Sequence, residues 1–204
     1  SNLALCYGGS AHRVPFLWDE QRFDRHVTYT DEAGKTHWLF DAFLAIEFVD
    51  TKSNKAYMLG NGRPSADKAS WTDLLDSWFD KEHGFAALDR SVGKAIEKLG
   101  VPPTKRKVII QNFKDVKSST TYWGFIDGKQ MDFKKAADRR AAMKWYIDEA
   151  RKRWNNSNYQ NLEFMGFYII SEDLAVPGYG WNPELKHWED IYPEMSNYIH
   201  ACNE

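Results

Sequence analysis

Four short apolar segments, separated by much longer stretches of mixed polarity, dominate the pattern of the chain. They cover residues 3–7, 42–48, 107–113 and 162–170. Runs of this length with little polar content are typical of strands that are covered on both faces of a parallel sheet. We therefore expect each segment to be one strand of such a sheet.

Helical patterns lie between these segments. Apolar residues recur at helical spacing in residues 71–80, 85–99 and 133–154, which predicts three helices. Gly100 with Pro102 ends the second of them, and Asn182-Pro183 opens a last helix that runs to about residue 202. Residues 125–131 contain Asp127-Gly128, which is a hairpin signal.

Alternation of strands and helices over long connections predicts an α/β fold with parallel pairing through right-handed crossovers. Four such β/α units are half of a (β/α)₈ TIM-type barrel, and half a barrel leaves two sheet edges and one apolar face uncovered. We interpret residues 1–204 as a single domain that is a fragment of a barrel, a subunit that pairs, or an open sheet.

Charge and composition exclude several classes of function. The 27 Lys plus Arg against 29 Asp plus Glu give no basic field for a nucleic-acid backbone, and no segment has the roughly 20 consecutive apolar residues of a membrane span. Cys6 and Cys202 lack the spacing of a zinc site. Gly8-Gly9 lacks the spacing of a nucleotide-binding loop. We therefore predict no cofactor and no metal.

Aromatic residues form 15% of the chain, including nine Trp and ten Tyr. Their faces suit the C–H faces of sugar rings, although aromatic side chains more often fill cores. Trp181, on a loop after the fourth apolar segment, is the leading candidate for stacking on a sugar. Trp38 and Trp123 are weaker candidates for the same role.

The fourth apolar segment is followed by two neighbouring acids, Glu172 and Asp173. Ligands of parallel α/β folds bind at the carboxyl ends of the strands, which makes Glu172 the first candidate for chemistry. The alternative interpretation is that the two acids cap a turn or carry surface charge.

Polar residues also end the second and third predicted strands. Glu47 shares a strand face with Phe43, so it points either into the mouth of a barrel or toward covering helices. Its alternative role is that of a buried carboxylate bonded to a basic group. Gln111 and Asn112 offer amides that suit sugar hydroxyls, but as sequence neighbours they face opposite ways.

The loop after the first strand contributes His12 as a candidate for proton transfer and Arg13 as a ligand for an acidic sugar. Glu172 and Glu47 are the candidate catalytic residues. The predicted substrate-binding residues are Tyr7, His12, Arg13, Gln111, Asn112, Tyr168, Asp173 and Trp181.

Three sequence motifs resemble the bacterial family DUF4855: Tyr7-Gly8-Gly9, His37 to Leu44, and Gly166-Phe167-Tyr168 with Ser171-Glu172. The resemblance implies a glycoside-hydrolase-like (β/α)₈ barrel of which this chain is the N-terminal half, in bacteria that use polysaccharides. It further implies that Glu172 is the general acid. The second acid would come from Glu47, from Asp173 or, the alternative we favour, from a later strand outside this sequence. A secreted, periplasmic or cell-surface location is also expected from the resemblance.

Glycoside hydrolysis with an oligosaccharide or polysaccharide substrate is thus the leading hypothesis for the function. A non-catalytic glycan-binding domain is the first alternative. The second is an assembly module that associates with another copy or with the missing half of the barrel.

Overall fold

A computed structural model of the protein describes residues 2–8, 17–58, 62–112, 120–169 and 191–201. Within these ranges the chain forms one four-stranded parallel sheet, three two-stranded antiparallel pairs and five helices. The predicted α/β class is therefore confirmed. None of the helices in these ranges has both the length and the apolar character that crossing a membrane requires.

The elements place helices and short antiparallel strand pairs between the four strands of the parallel sheet. In chain order they are β1 (Leu3–Tyr7), α1 (Glu20–Val27), β2 (Thr28–Thr30), β3 (Thr36–Trp38), β4 (Ala42–Ile46), β5 (Val49–Asp50), β6 (Lys55–Ala56), α2 (Lys68–Trp78), α3 (Gly84–Leu99), β7 (Arg106–Gln111), β8 (Phe125–Ile126), β9 (Lys129–Gln130), α4 (Ala136–Ser157), β10 (Leu162–Tyr168) and α5 (Tyr192–Ala201).

The residues group into two compact units whose chain segments alternate. Unit 1 consists of Ser1–Glu47, Leu74–Gln111 and Lys152–Tyr168, and unit 2 of Phe48–Asp73, Asn112–Arg151 and Ile169–Glu204. The parallel sheet belongs entirely to unit 1. The expectation that residues 1–204 form a single domain stays a prediction.

All four predicted strands are present, in the spatial order β1-β4-β7-β10, and every neighbouring pair is parallel. The second, third and fourth strands end two residues before their predicted ends. At β4 the reason is visible: the N–H of Glu47 donates to the side chain of Gln111 instead of continuing the strand ladder.

The register assigns the strand residues to two faces of the sheet. Ala4 pairs with Phe43, which pairs with Val108, so these three side chains lie in one row. Phe43 contacts Phe23 of α1, with 6.0 Å between ring centroids. We call this side the helix-covered face, because Phe164 of β10 also packs there against Trp154 of α4.

The opposite face carries the alternate residues of each strand. On the edge strands its apolar side chains are exposed: Leu3 by 43%, Leu5 by 48% and Met165 by 57%. Met165 lies where a bulge shifts the register of β10 against β7. Apolar area that water still reaches contributes no hydrophobic stabilisation to unit 1.

The helix α1 and the β2–β3 hairpin were not predicted. Asp19 caps α1, since its carboxylate accepts a hydrogen bond from the backbone of Arg22 at 2.8 Å. Phe23 and Val27, four residues apart, are the buried residues of this helix. An Asp cap followed by that spacing is a local signal that could have identified α1.

The predicted Asp-Gly hairpin is confirmed as β8–β9. Asp127 and Gly128 both have positive φ, 49° and 78°, which a two-residue turn of the favoured hand requires. The predicted start of the last helix at Asn182 lies outside the described residues.

In unit 2 a buried carboxylate joins the β5–β6 hairpin to the start of α2. Asp50 is 7% exposed, and its Oδ2 accepts a hydrogen bond from the hydroxyl of Ser70 at 2.8 Å. Its Oδ1 accepts from the backbone of Lys52 at 3.0 Å, and Ser53 also donates to it. Burial acts to raise the pKa of Asp50, but these hydrogen bonds outweigh burial, so the pKa lies below its ordinary value.

The low pKa of Asp50 predicts a stability that depends on pH. The charged form is favoured in the folded state, so its contribution is complete above about pH 4, the ordinary range of an aspartate, and is lost as pH falls through the lower folded pKa. Asp50→Asn should reduce the free energy of unfolding by about 1–3 kcal/mol at neutral pH. The deficit should shrink below about pH 4, as measured by denaturant unfolding at a series of pH values.

Asp73→Asn is the matched control, because Asp73 is an exposed carboxylate and its ion pair with Lys52 is also exposed. We expect it to change the free energy of unfolding by less than about 0.5 kcal/mol. The deficit of Asp50→Asn could also stay constant down to about pH 2, well below the ordinary aspartate pKa of about 4. That result would contradict the low pKa of Asp50.

Candidate functional site

Three of the predicted site residues lie in one row at the carboxyl ends of the parallel strands. Tyr7 pairs with Ile46, and Tyr168 pairs with Gln111. The register of β4 on β7, continued by one residue, puts Ile46 beside Gln111. Tyr7, Gln111 and Tyr168 therefore share the opposite face of the sheet, and we call them the carboxyl-end row.

Gln111 is the most buried member of this row, at 1% exposure. Its Oε1 accepts a hydrogen bond of 2.6 Å from the backbone N–H of Glu47. A backbone hydrogen bond also joins the ends of β1 and β4, because the N–H of Gly8 donates to the carbonyl of Ile46 at 3.2 Å. The end of the sheet thus holds the amide of Gln111 in one orientation.

Glu47 lies on the other side of the sheet. It follows Phe43 and Ala45 on the helix-covered face, and it is 4% exposed. A Cβ placed on Gly8 would lie 3.4 Å from Glu47 Oε2 and 3.7 Å from Trp78 Cζ2. Of the two orientations that the sequence left open, the structure therefore has the carboxyl group directed toward the covering helices.

Two tryptophans that sequence reasoning missed support this end of the sheet. Trp18 is 3% exposed, and its Nε1 donates to the carbonyl of Tyr7 at 2.8 Å. Its own carbonyl accepts from the N–H of Gly84, the first residue of α3. Trp78, at the end of α2, stacks on Phe85 of α3 with 5.5 Å between centroids. The local sequence signals for their roles are weak: Trp18 directly precedes the cap of α1, and Trp78 is the last residue of α2.

The remaining predicted residues fall into two groups. Asn112 is described, is 4% exposed and belongs to unit 2. Five others lie outside the described residues, so their proposed roles stay predictions: His12, Arg13, Glu172, Asp173 and Trp181.

The two weaker tryptophan candidates, Trp38 and Trp123, pack against other side chains. The guanidinium of Arg106 lies 4.4 Å from the ring centroid of Trp38, beside the amino end of β7. Trp123 is fully buried in unit 2 and packs on Phe133 and Trp145. Both therefore have packing roles.

The described part of the row has hydroxyl and amide groups but no charged side chain. The phenols of Tyr7 and Tyr168 and the amide of Gln111 can each donate and accept hydrogen bonds. In the described ranges, no group of three or more His, Cys, Asp or Glu residues is placed to hold a metal ion. The row is chemically suited to neutral ligands that carry hydroxyl groups.

Comparison with known proteins gives one match. The model of a family described as a domain of unknown function, DUF4855, matches residues 2–202. This confirms the resemblance that the three sequence motifs indicated. No curated protein and no solved structure matches the chain.

The hydrogen bond between Glu47 and Gln111 predicts a specific loss of stability. Gln111→Leu leaves the buried N–H of Glu47 without its acceptor, so the free energy of unfolding should fall by about 1–3 kcal/mol in denaturant unfolding. Gln111→Glu retains an acceptor at this position and should recover part of the loss.

Gln130→Leu serves as the control, because Gln130 is exposed and its amide donates to the carbonyl of Thr121 at an exposed position. A change within about 0.5 kcal/mol is expected there. If Gln111→Leu were as stable as the parent protein, the hydrogen bond would not hold the end of the sheet together.

Proposed function

Because the chain belongs to DUF4855, a family of domains of unknown function, we propose its function from its own geometry: a carbohydrate-active domain of the glycoside-hydrolase type. Its four β/α units would form part of a (β/α)₈-type barrel. Its substrate, an oligosaccharide or polysaccharide, would bind at the carboxyl ends of the strands. The observation that carries the proposal is the row of Tyr7, Gln111 and Tyr168.

The strand order supports the barrel interpretation. Right-handed crossovers that always advance in the same direction place every connecting helix on the same side of a sheet. A doubly wound sheet reverses its order and has helices on both sides. The order β1-β4-β7-β10 contains no reversal. When all helices cover one side of the sheet, its other face stays uncovered until the barrel closes. The exposed side chains of Leu3, Leu5 and Met165 on the opposite face agree with this arrangement.

The carboxyl-end row supports binding of a sugar. Tyrosine rings offer apolar faces for the C–H groups of a pyranose, and a phenol hydroxyl can both donate and accept hydrogen bonds. A buried amide held by the backbone of Glu47 would discriminate between hydroxyl orientations. Ligands of parallel α/β folds are generally bound at this end of the strands.

The proposed chemistry assigns Glu172 as the general acid. It follows Tyr168 by four residues in the sequence and is the acid nearest to the end of β10. In the proposed reaction it protonates the glycosidic oxygen as the bond to the anomeric carbon breaks. A second carboxylate attacks that carbon or activates a water molecule.

Glu47 was the other catalytic candidate. Its backbone N–H orients Gln111 while its carboxyl group is directed toward the covering helices. We therefore propose that Glu47 positions the amide of Gln111, and that the second carboxylate comes from elsewhere. The residues Asp173, His12 and Arg13 keep their proposed roles in substrate binding.

The decisive experiment is hydrolysis of a panel of polysaccharides by the longest natural form of the protein. Glu172→Gln should lower turnover by at least about 100-fold, because general acid catalysis typically contributes that much. Glu163→Gln is the matched control, because Glu163 is an exposed acid at the amino end of β10. Equal rates for Glu172→Gln and the control would remove the general acid assignment.

A non-catalytic glycan-binding domain is the second candidate function. The observation that favours it is the absence of a carboxylate from the described part of the carboxyl-end row, since Glu47 lies on the helix-covered face. In that case sugars bind without turnover. The Glu172→Gln variant then binds as the parent protein does.

Under either function Trp181→Ala should weaken glycan binding by about tenfold or more, because a stacking tryptophan is commonly a dominant contact. Isothermal titration calorimetry with the best-bound oligosaccharide measures this loss. Phe125→Ala, which removes an aromatic side chain that is 49% exposed in unit 2, should leave the affinity unchanged. Identical affinities for all three proteins would exclude Trp181 from the binding site.

A further inference from the structure

A cleft on the helix-covered side of unit 1 has no role in the proposed function. Its volume is about 480 Å³, which falls within the range of small-molecule sites. The end of α2, the start of α3, the end of α4 and the following turn form its walls. The residues that line it include Asp76, Phe79, Lys81, Arg153, Asn156 and Tyr159.

Two aromatic rings line this cleft and are supported from behind. Phe79 and Tyr159 both pack edge-on against Trp154, with centroid separations of 6.5 Å and 5.1 Å. Trp154 in turn packs on Phe164 of the sheet. The apolar part of the wall is thus held in place by the core of unit 1, as a pre-formed binding surface requires.

The charged groups of the cleft largely compensate one another. Arg153 donates to Asp76 Oδ1 from Nε at 3.2 Å and from Nη2 at 2.8 Å. Asp80, which also lines the cleft, accepts from the backbone N–H groups of Glu82 and His83. Because acids and bases alternate here, a free anion or cation would meet a like charge as well as an opposite one.

Hydrogen-bonding capacity nevertheless remains in the cleft. The amide of Asn156 and the ammonium of Lys81 form no hydrogen bond or ion pair with the described residues, and Asp76 Oδ2 accepts none from them. These groups offer donors and acceptors beside the two rings. Donors, acceptors and aromatic faces together match a neutral ring that carries hydroxyl groups.

We propose that this cleft is a second saccharide-binding site that takes a neutral sugar unit and lies apart from the carboxyl-end row. The choice of carbohydrate rests on the proposed function, which this site extends by a second point of attachment for the same polymer. Two attachment points on one chain raise the effective concentration of substrate at the first.

The test is a titration of the isotope-labelled protein with cellobiose, xylobiose, chitobiose and lactose, followed by NMR. At least one sugar should shift the signals of Phe79, Trp154 and Tyr159. Asn156→Ala should weaken that binding by about three- to tenfold, the loss expected for one hydrogen bond. Asn155→Ala is the matched control, because Asn155 is the exposed neighbour on α4 that does not line the cleft.

The same titration tests whether the cleft prefers a neutral sugar to an anionic one. Glucose should bind at least as well as glucuronate, since the cleft has no excess of positive charge. Preferential binding of glucuronate would overturn the assignment to a neutral sugar. So would the absence of cleft shifts with every sugar, or an equal effect of the two asparagine variants.

The hydrolysis assay separates this inference from the proposed function. Turnover without shifts at the cleft would overturn the second site and leave the hydrolase proposal intact. Shifts at the cleft of a parent protein that hydrolyses none of the polysaccharides would support the second site and remove the hydrolase.

Discussion

The parallel hydrogen-bonded ladder through β1, β4, β7 and β10 is the constraint on which the rest of unit 1 depends. It determines that side chains one residue apart fall on different faces, and that residues far apart in sequence share a row. Phe43 is turned toward α1 and Gln111 toward the other face for this reason alone. A shift by one residue in any strand would exchange the two sets.

Three buried polar side chains, Gln111, Asp50 and Arg106, have partners that join separate segments of the chain. Gln111 accepts from the backbone of Glu47, and Asp50 accepts from two serines and a backbone N–H. At the amino end of β7, Arg106 is 2% exposed, with Asp41 at 3.4 Å and the ring of Trp38 as partners. Burial lowers the pKa of Arg106 and the negative charge of Asp41 opposes that change. Each of these groups joins segments that are distant in the sequence, so they specify pairing as well as stabilise it.

Aromatic packing explains much of the high aromatic content. Trp18, Trp71 and Trp123 are nearly or fully buried. Trp154 contacts the ring of Phe79, directly after α2, and rings of α3 and β10. These residues hold helices against the sheet or against one another. In unit 1 we propose ligand contacts for the rings of the carboxyl-end row and of the cleft beside Trp154.

The sequence alone was enough for the four strands, the helices α2, α3 and α4 and the Asp127-Gly128 hairpin, because each has a periodicity or turn signal that is local. It also identified the family from three motifs. It could not decide the direction of Glu47, since alternation allows either face until the helices are packed. The sequence also could not predict the roles of Trp18 and Trp78 or the cleft lined by Asn156, because these features depend on contacts between separate segments of the chain. Local chemistry determines which elements form, whereas only the packing of those elements decides which side chains meet.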